Sequence, residues 1–365
     1  MSRVWSTLAL LCSAAILMMF GTSGPSQAAP PPTTSLPGLA LTAYDASIGD
    51  PLVVDRLTVF PIYATSNPEF EDAISLEHAL AKKKAKVREV GDKEGGDTVG
   101  ALVIENKGTV PIFVLAGTVV KGGKQDRQIG QDFVIAANET VDVEAFCVEQ
   151  GRWDQSRSGK NTGGKFSASG MLAPRKVRKA AQHDSDQGKV WDEVAKTNQK
   201  AKKRSGSGTR MATLDADDVK AERRKLSASA VKAIDGAPSQ TQVLGVAYAI
   251  DGQVRGARWF ASRQLWEQHR DKLLETAALE ALLADTKDKP KKVAAKQVRD
   301  FVDNVGKSAV HSTKKRAKAV NTNLYKKSAK AGASEARVMK KKKKADGSTE
   351  ELLSAPISVD VTGLE

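Results

Sequence analysis

The sequence predicts an α+β fold, with antiparallel meander or hairpin sheets, packed helices and a basic C-terminal region. Three observations carry this. Residues 98–148 hold four β-rich runs, TVGALVIEN, VPIFVLAGTVV, DFVIAA and TVDVEAFCV, joined by NKG, KGGKQDRQIG and NE. These connections are too short for a parallel crossover, so an up-and-down antiparallel sheet is expected. QVLGVAYAI and QVRGARWF flank Asp251-Gly252, a pair that suits a type I′ hairpin turn. Leu265, Trp266, His269, Leu273 and Ala277 then recur at helical spacing behind Ser262, an N-cap for a helix reaching about Leu283.

The chain opens MSRVWSTLALLCSAAILMMFGTSGPSQAAPPP. Arg3, an apolar run over 8–20 and the small residues Ser26-Gln27-Ala28 have the order of a signal peptide, and cleavage is expected after Ala28. The mature protein is then periplasmic or secreted, with Cys147 as its single cysteine and no internal disulfide. Later apolar runs fall short of the ~20 residues of a membrane helix, so no integral span is expected after cleavage.

Residues 29–50 read as a proline-rich linker and 51–284 as the main α+β domain. LVVDRLTVFPIYA reads as a strand ending near Pro61, Ser75 as the cap of a short helix, and KVREV as a further strand. The polar, glycine-rich stretch 154–186 reads as a mobile loop. Helices follow from near Asp186, with Val190, Trp191 and Val194 on one face, and from Asp215 to about Ile234.

Residues 285–365 form a lysine-rich, partly ordered C-terminal region. The stretch 285–347 holds 20 Lys+Arg against 6 Asp+Glu, which accounts for the whole net charge of +14. A helix is expected over VAAKQVRDFVDNV, and a last hairpin around Asp346-Gly347. Five lysines at 340–344 fit a solvated face or a contact with an anionic envelope surface. Aromatic residues for base stacking are scarce there, which argues against nucleic acid as a partner.

Two segments carry the candidate chemistry. In CVEQGRW, the period of two puts Val141, Val143, Ala145, Cys147 and Glu149 on one face, apolar until its end. Cys147 fits a small buried hydrophobe, or a nucleophile if the fold brings a base or cation to it. Glu149 needs a partner or a wet cleft. It can form an ion pair with Arg152, or act as a catalytic base while Arg152 grips an anion. Trp153 offers a stacking wall or a cover for the core edge. In KGGKQDRQIG, two glycines permit positive φ, Lys124 and Arg127 supply cations, and Gln125 both donates and accepts. Together these suit a small anionic or polar ligand. The P-loop spacing, HExxH, paired CxxC and EF-hand patterns do not occur, so no cofactor and no metal site is expected.

The order GTVPIFVLAGTVVKGGKQDR followed by CVEQGRW resembles the ARG-and-rhodanese-phosphatase-superfamily-associated protein domain, the ARPP family. QGKVWDEV at 187–194 and VLGVAYAIDGQVRGARWF at 243–260 extend the resemblance over about residues 53–284. It marks Lys124, Gln125 and Arg127 in one block and Cys147, Glu149, Gly151, Arg152 and Trp153 in the other. Asp126 stands where the family pattern has asparagine. The resemblance brings no defined reaction, and it leaves three classes of function open. One is a ligand-binding domain. Another is a hydrolase using Glu149 with Lys124, Arg127 and Arg152. The third is an envelope-associated structural protein that makes contact through its lysine-rich tail.

Overall fold

In a computed structural model, the protein is described at residues 41, 45–90, 100–151, 153–157, 159–205, 217–285, 291–306, 310–316, 320–328 and 331–363. Residues 1–40, which hold the expected signal segment and most of the expected linker, the stretch 91–97, which the sequence predicts as a loop, and Arg152 lie outside the described residues.

Among the described residues, the largest sheet has nine strands, all paired antiparallel. Its order is Ser47–Ile48, Leu57–Tyr63, Val243–Ile250, Gln253–Phe260, Thr349–Gly363, Ala331–Lys343, Val320–Ser328 and Val310–Arg316, with Leu52–Val54 also paired to Leu57–Tyr63. The expected single strand LVVDRLTVFPIYA is thus a tight hairpin, turned at Asp55 with φ 56°. The Asp251-Gly252 turn has φ 50° and 85°, positive at both positions as a type I′ turn requires.

Helices cover both faces of this sheet. Arg263–Leu282 and Asp217–Asp235 seal one face, where Leu265, Leu274 and Ile234 meet Leu57, Val59, Val246 and Phe260. Ser262 caps the first of these helices, accepting from the Leu265 N–H at 3.3 Å. Ala295–Gly306 seals the other face, with Val298, Val302 and Val305 against Phe60, Ile62, Trp259 and Val361.

A six-stranded sheet runs Phe166–Leu172, Thr118–Gly122, Arg127–Ile129, Thr140–Cys147, Ala101–Asn106 and Ala85–Glu89. Phe133–Ile135, Ile112–Val114 and Ile74–Ser75 form a smaller sheet, whose last two strands are parallel. All pairings within 98–148 are antiparallel, and the fold is α+β as the sequence predicts.

The chain order within that region departs from a meander. VPIFVLAGTVV breaks at Gly117, φ 86°, into strands of two different sheets, and KGGKQDRQIG supplies a strand of its own. Nor is 154–186 a loop. Phe166–Leu172 pairs with Thr118–Gly122, and Arg175–Gln182 is a helix. The serines and the glycine of FSASGML conceal the alternation that would mark a strand.

Gln253–Phe260 pairs directly with Thr349–Gly363, so strands from both sides of residue 284 share one sheet. The lysine run extends the strand Ala331–Lys343. Lys341 and Lys342 stand opposite Glu351 and Glu350, and residues 342–349 are exposed.

A buried ionic ring joins the two larger sheets. The Ala116 N–H donates to Asp132 Oδ1 at 2.6 Å. Arg258 Nη2 donates to both Asp132 oxygens, at 2.8 and 2.6 Å. Asp360 Oδ2 lies 3.5 Å from Arg258 Nη1 and 3.6 Å from Arg178 Nη1. The Arg178 stem then passes beside Gly117, where an added Cβ would meet Arg178 Cγ at 2.7 Å. Burial pushes the Asp132 carboxyl above its ordinary value, against the opposing pull of Arg258.

Candidate functional site

The rim of the six-stranded sheet brings the two marked segments together. Thr118–Gly122 turns through 123–126 into Arg127–Ile129, which pairs with the end of Thr140–Cys147 and sets Arg127 opposite Cys147. The Val148 N–H, donating to the Asp126 carbonyl at 3.0 Å, carries the contact one residue further. An up-and-down sheet would bring these segments together as two strand ends on a common edge. In the structure they are adjacent strands, a closer and more rigid link.

The turn is tightly packed. At Gly123, φ 48°, a Cβ would lie 2.7 Å from both Glu89 Oε1 and Phe166 Cε2, so glycine is required on both conformational and steric grounds. Three carboxylates accept the turn's own N–H groups. Glu89 accepts from Lys124 at 3.2 Å, Asp126 from Gly122 at 2.9 Å, and Glu149 from Asp126 at 3.2 Å. Gln125 Nε2 also donates to the Glu149 carbonyl at 3.1 Å. The turn is thus organised as an anion nest around carboxylates of the same chain.

Arg127 is the centre of the buried layer. Its side chain has no exposure, and its guanidinium donates to Glu89 Oε2 at 3.3 Å and to Cys147 Sγ. Burial, which pushes the Cys147 thiol above its ordinary value, outweighs the downward pull of Arg127. Cys147 is fully buried and continues the buried face of its strand. The Gln187 side chain holds the Cys147 backbone on both sides, accepting its N–H at 2.8 Å and donating to its carbonyl at 2.9 Å. In this way a side chain replaces the missing strand neighbour.

The outer layer differs. Trp153 is 44% exposed, one of two large hydrophobic residues so exposed among the described residues. Lys124 Nζ lies 5.9 Å and Arg127 Cζ 5.5 Å from the Trp153 ring centroid, both within cation–π range. Lys124 and Glu149 are half-buried, and with Trp153 they form the part of the rim that meets solvent. Gln125 and Arg127 lie beneath them, while Arg152 is outside the described residues.

Glu89 and Gln187 are absent from the sequence-predicted set. Glu89 had a usable signal. Ala85, Val87 and Glu89 share one face of their strand, and a carboxylate closing an apolar face is the pattern that marks Glu149. Gln187 has no such signal, because its partner is backbone. Among the described residues, no group of three or more His, Cys, Asp and Glu is placed to hold a metal ion. No described helix is long and apolar enough to cross a membrane.

These features define an α+β protein with a cation-flanked aromatic rim over a closed ionic layer. The family model of the ARG and Rhodanese-Phosphatase-superfamily-associated Protein domain matches residues 45–347, and the chain belongs to that family. The match runs past 284 and takes in the strand Ala331–Lys343. No curated protein and no solved structure matches the chain.

Proposed function

We propose that the rim binds a small anionic or polar ligand, with Trp153 as its platform and Lys124 as its cation. The carrying observation is the exposed Trp153 ring, fixed beside the Lys124 ammonium and the buried Arg127 guanidinium. An exposed aromatic face beside a solvent-reaching ammonium suits a ligand that both stacks and carries negative charge. Arg127, committed to Glu89 and Cys147, acts as a positioning residue that fixes the platform. Glu149 acts as a clasp, since Oε2 is engaged with the Asp126 N–H at 3.2 Å. That engagement favours a binding module over a hydrolase with Glu149 as base.

Calorimetric titration with phosphate, citrate and glucuronate tests the reading. At least one should bind, and Trp153→Ala and Lys124→Met should each weaken that binding ~10-fold or more with little change in Tm. Binding of none of the three, or undiminished binding by both variants, contradicts the proposal. The setting proposed for this module is the cell envelope or beyond, on the strength of the signal-like residues 1–28. N-terminal sequencing of exported protein should find Ala29 first.

A further inference from the structure

A small cavity lies beside the ionic ring, between the helix Arg263–Leu282 and the large sheet, where Arg178, Tyr248, Arg258, Thr276, Asp360 and Thr362 share the lining with apolar residues. Two donors in that lining lack protein acceptors. Arg178 Nε and Arg258 Nη1 are buried and have no hydrogen-bond partner. Their side chains are 8% and 3% exposed. Both guanidinium groups approach the same atom, Asp360 Oδ2, at 3.6 and 3.5 Å, distances that mark ion pairs without direct hydrogen bonds. A buried guanidinium N–H without an acceptor is costly, and polar contacts at this separation are characteristic of a bridged arrangement.

We infer that one ordered water molecule is a built-in ligand of this ring, accepting from Arg178 and Arg258 and donating to Asp360. Three lines of reasoning identify the occupant. The cavity leaves ≈ 20 Å³ of room for the centre of a water-sized sphere. One water needs roughly 10–15 Å³, so a single molecule fits. Three polar partners is the usual complement of a buried water. Asp132, outside the lining, pairs with Arg258, so Arg178, Arg258, Asp132 and Asp360 sum to zero formal charge and a neutral occupant fits.

The water acts as the catch of the junction. The helix Arg175–Gln182, which carries Arg178, also packs through Val177, Ala180 and Ala181 against Phe146 and Val148 at the end of the rim strand. The strands Gln253–Phe260 and Thr349–Gly363 carry Arg258 and Asp360. Water exchange from the cavity therefore requires these elements to separate, and slow exchange reports a closed junction.

A high-resolution crystal structure grown or soaked in bromide tests the inference. The expected result is a well-ordered water within ~3.2 Å of Arg178 Nε, Arg258 Nη1 and an Asp360 oxygen, with no anomalous bromide signal there. A bromide peak, or no density in the cavity, overturns it. Ala277→Val gives a second reading, because Ala277 lines the cavity and carries no charge. Displacing a bound water without replacing its hydrogen bonds should lower Tm by a few degrees. A rise in Tm would mean that a dry void had been filled, and would overturn the inference.

Discussion

The rim and the ring use the same chemistry, arginines and carboxylates arranged around a glycine, under opposite conditions of burial. In the ring, Asp132, Arg178, Arg258 and Asp360 are each at most 7% exposed and come from widely separated segments. In the rim, Lys124 and Glu149 are half-buried, Trp153 is 44% exposed, and most residues come from two short contiguous stretches. A charge removed from water must be matched almost completely, so the ring is committed to holding the sheets together. The rim sets the half-buried Lys124 and the Trp153 ring where the sheet edge meets solvent, the surface proposed to take a ligand. Charge density alone does not mark a site; the difference lies in how much of each cluster meets solvent.

If that contrast is right, the largest effects of substitution belong to the ring. Asp132→Ala strands Arg258 in the interior and should lower unfolding stability by about 3–5 kcal/mol. Replacing both partners, as in Asp132→Leu with Arg258→Met, should cost clearly less in urea unfolding, because no uncompensated charge remains. Equal losses in the single and double variants would break the distinction.

Gly117→Ala should follow, at roughly 1–3 kcal/mol, since the new side chain meets Arg178 at a backbone position with positive φ. A neutral outcome in thermal unfolding would mean that Arg178 moves aside and the ring is adaptable.

A smaller, pH-dependent effect belongs to His269. It is fully buried, stacked on Phe260 at 5.1 Å, and neither ring nitrogen has a hydrogen-bond partner. Burial, reinforced by Lys272 and Arg258, holds its pKa well below 6.5. The neutral form is thus favoured in the folded state. Its contribution is fully present above pH 6.5 and is lost as pH falls below 6.5 toward the folded value. The loss should approach about 1.4 kcal/mol per pH unit, and His269→Phe should flatten that slope in denaturation curves.

The smallest effect on stability should come from the exposed lysines. Replacing Lys342, Lys343 and Lys344 with glutamine should leave Tm nearly unchanged while reducing any salt-sensitive adsorption to anionic vesicles. Unaltered adsorption would dismiss the lysine run as a surface contact.

Much of the fold was legible where its cause was local. The Asp251-Gly252 turn, the Ser75 and Ser262 caps and the helix from Ser262 all depend on neighbours within a few residues. The rim residues were legible as contiguous clusters of glycine and charge, although the reason for their proximity, direct strand pairing, was not. The ring was illegible because Arg258 and Asp132 are separated by 126 positions, and Arg258 and Ser358 by 100. Single-sequence periodicity cannot pair charges at that range. VHSTKKR and VNTNLYKKS carry no apolar alternation to mark Val310–Arg316 and Val320–Ser328 as strands, since lysine, threonine, serine and asparagine fill most of their positions.

The central claim is that the rim binds while the ring holds, and one paired measurement tests it most directly. Wild type, Lys124→Met and Asp132→Ala would each be followed by thermal unfolding, with and without the phosphate, citrate or glucuronate that the wild type binds. The account predicts that ligand raises the Tm of wild type and of Asp132→Ala, the latter from a lower baseline. It predicts that Lys124→Met keeps the wild-type baseline and loses the ligand-dependent rise. A ligand-dependent rise that survives in Lys124→Met and vanishes in Asp132→Ala would contradict it, and would place binding at the ring.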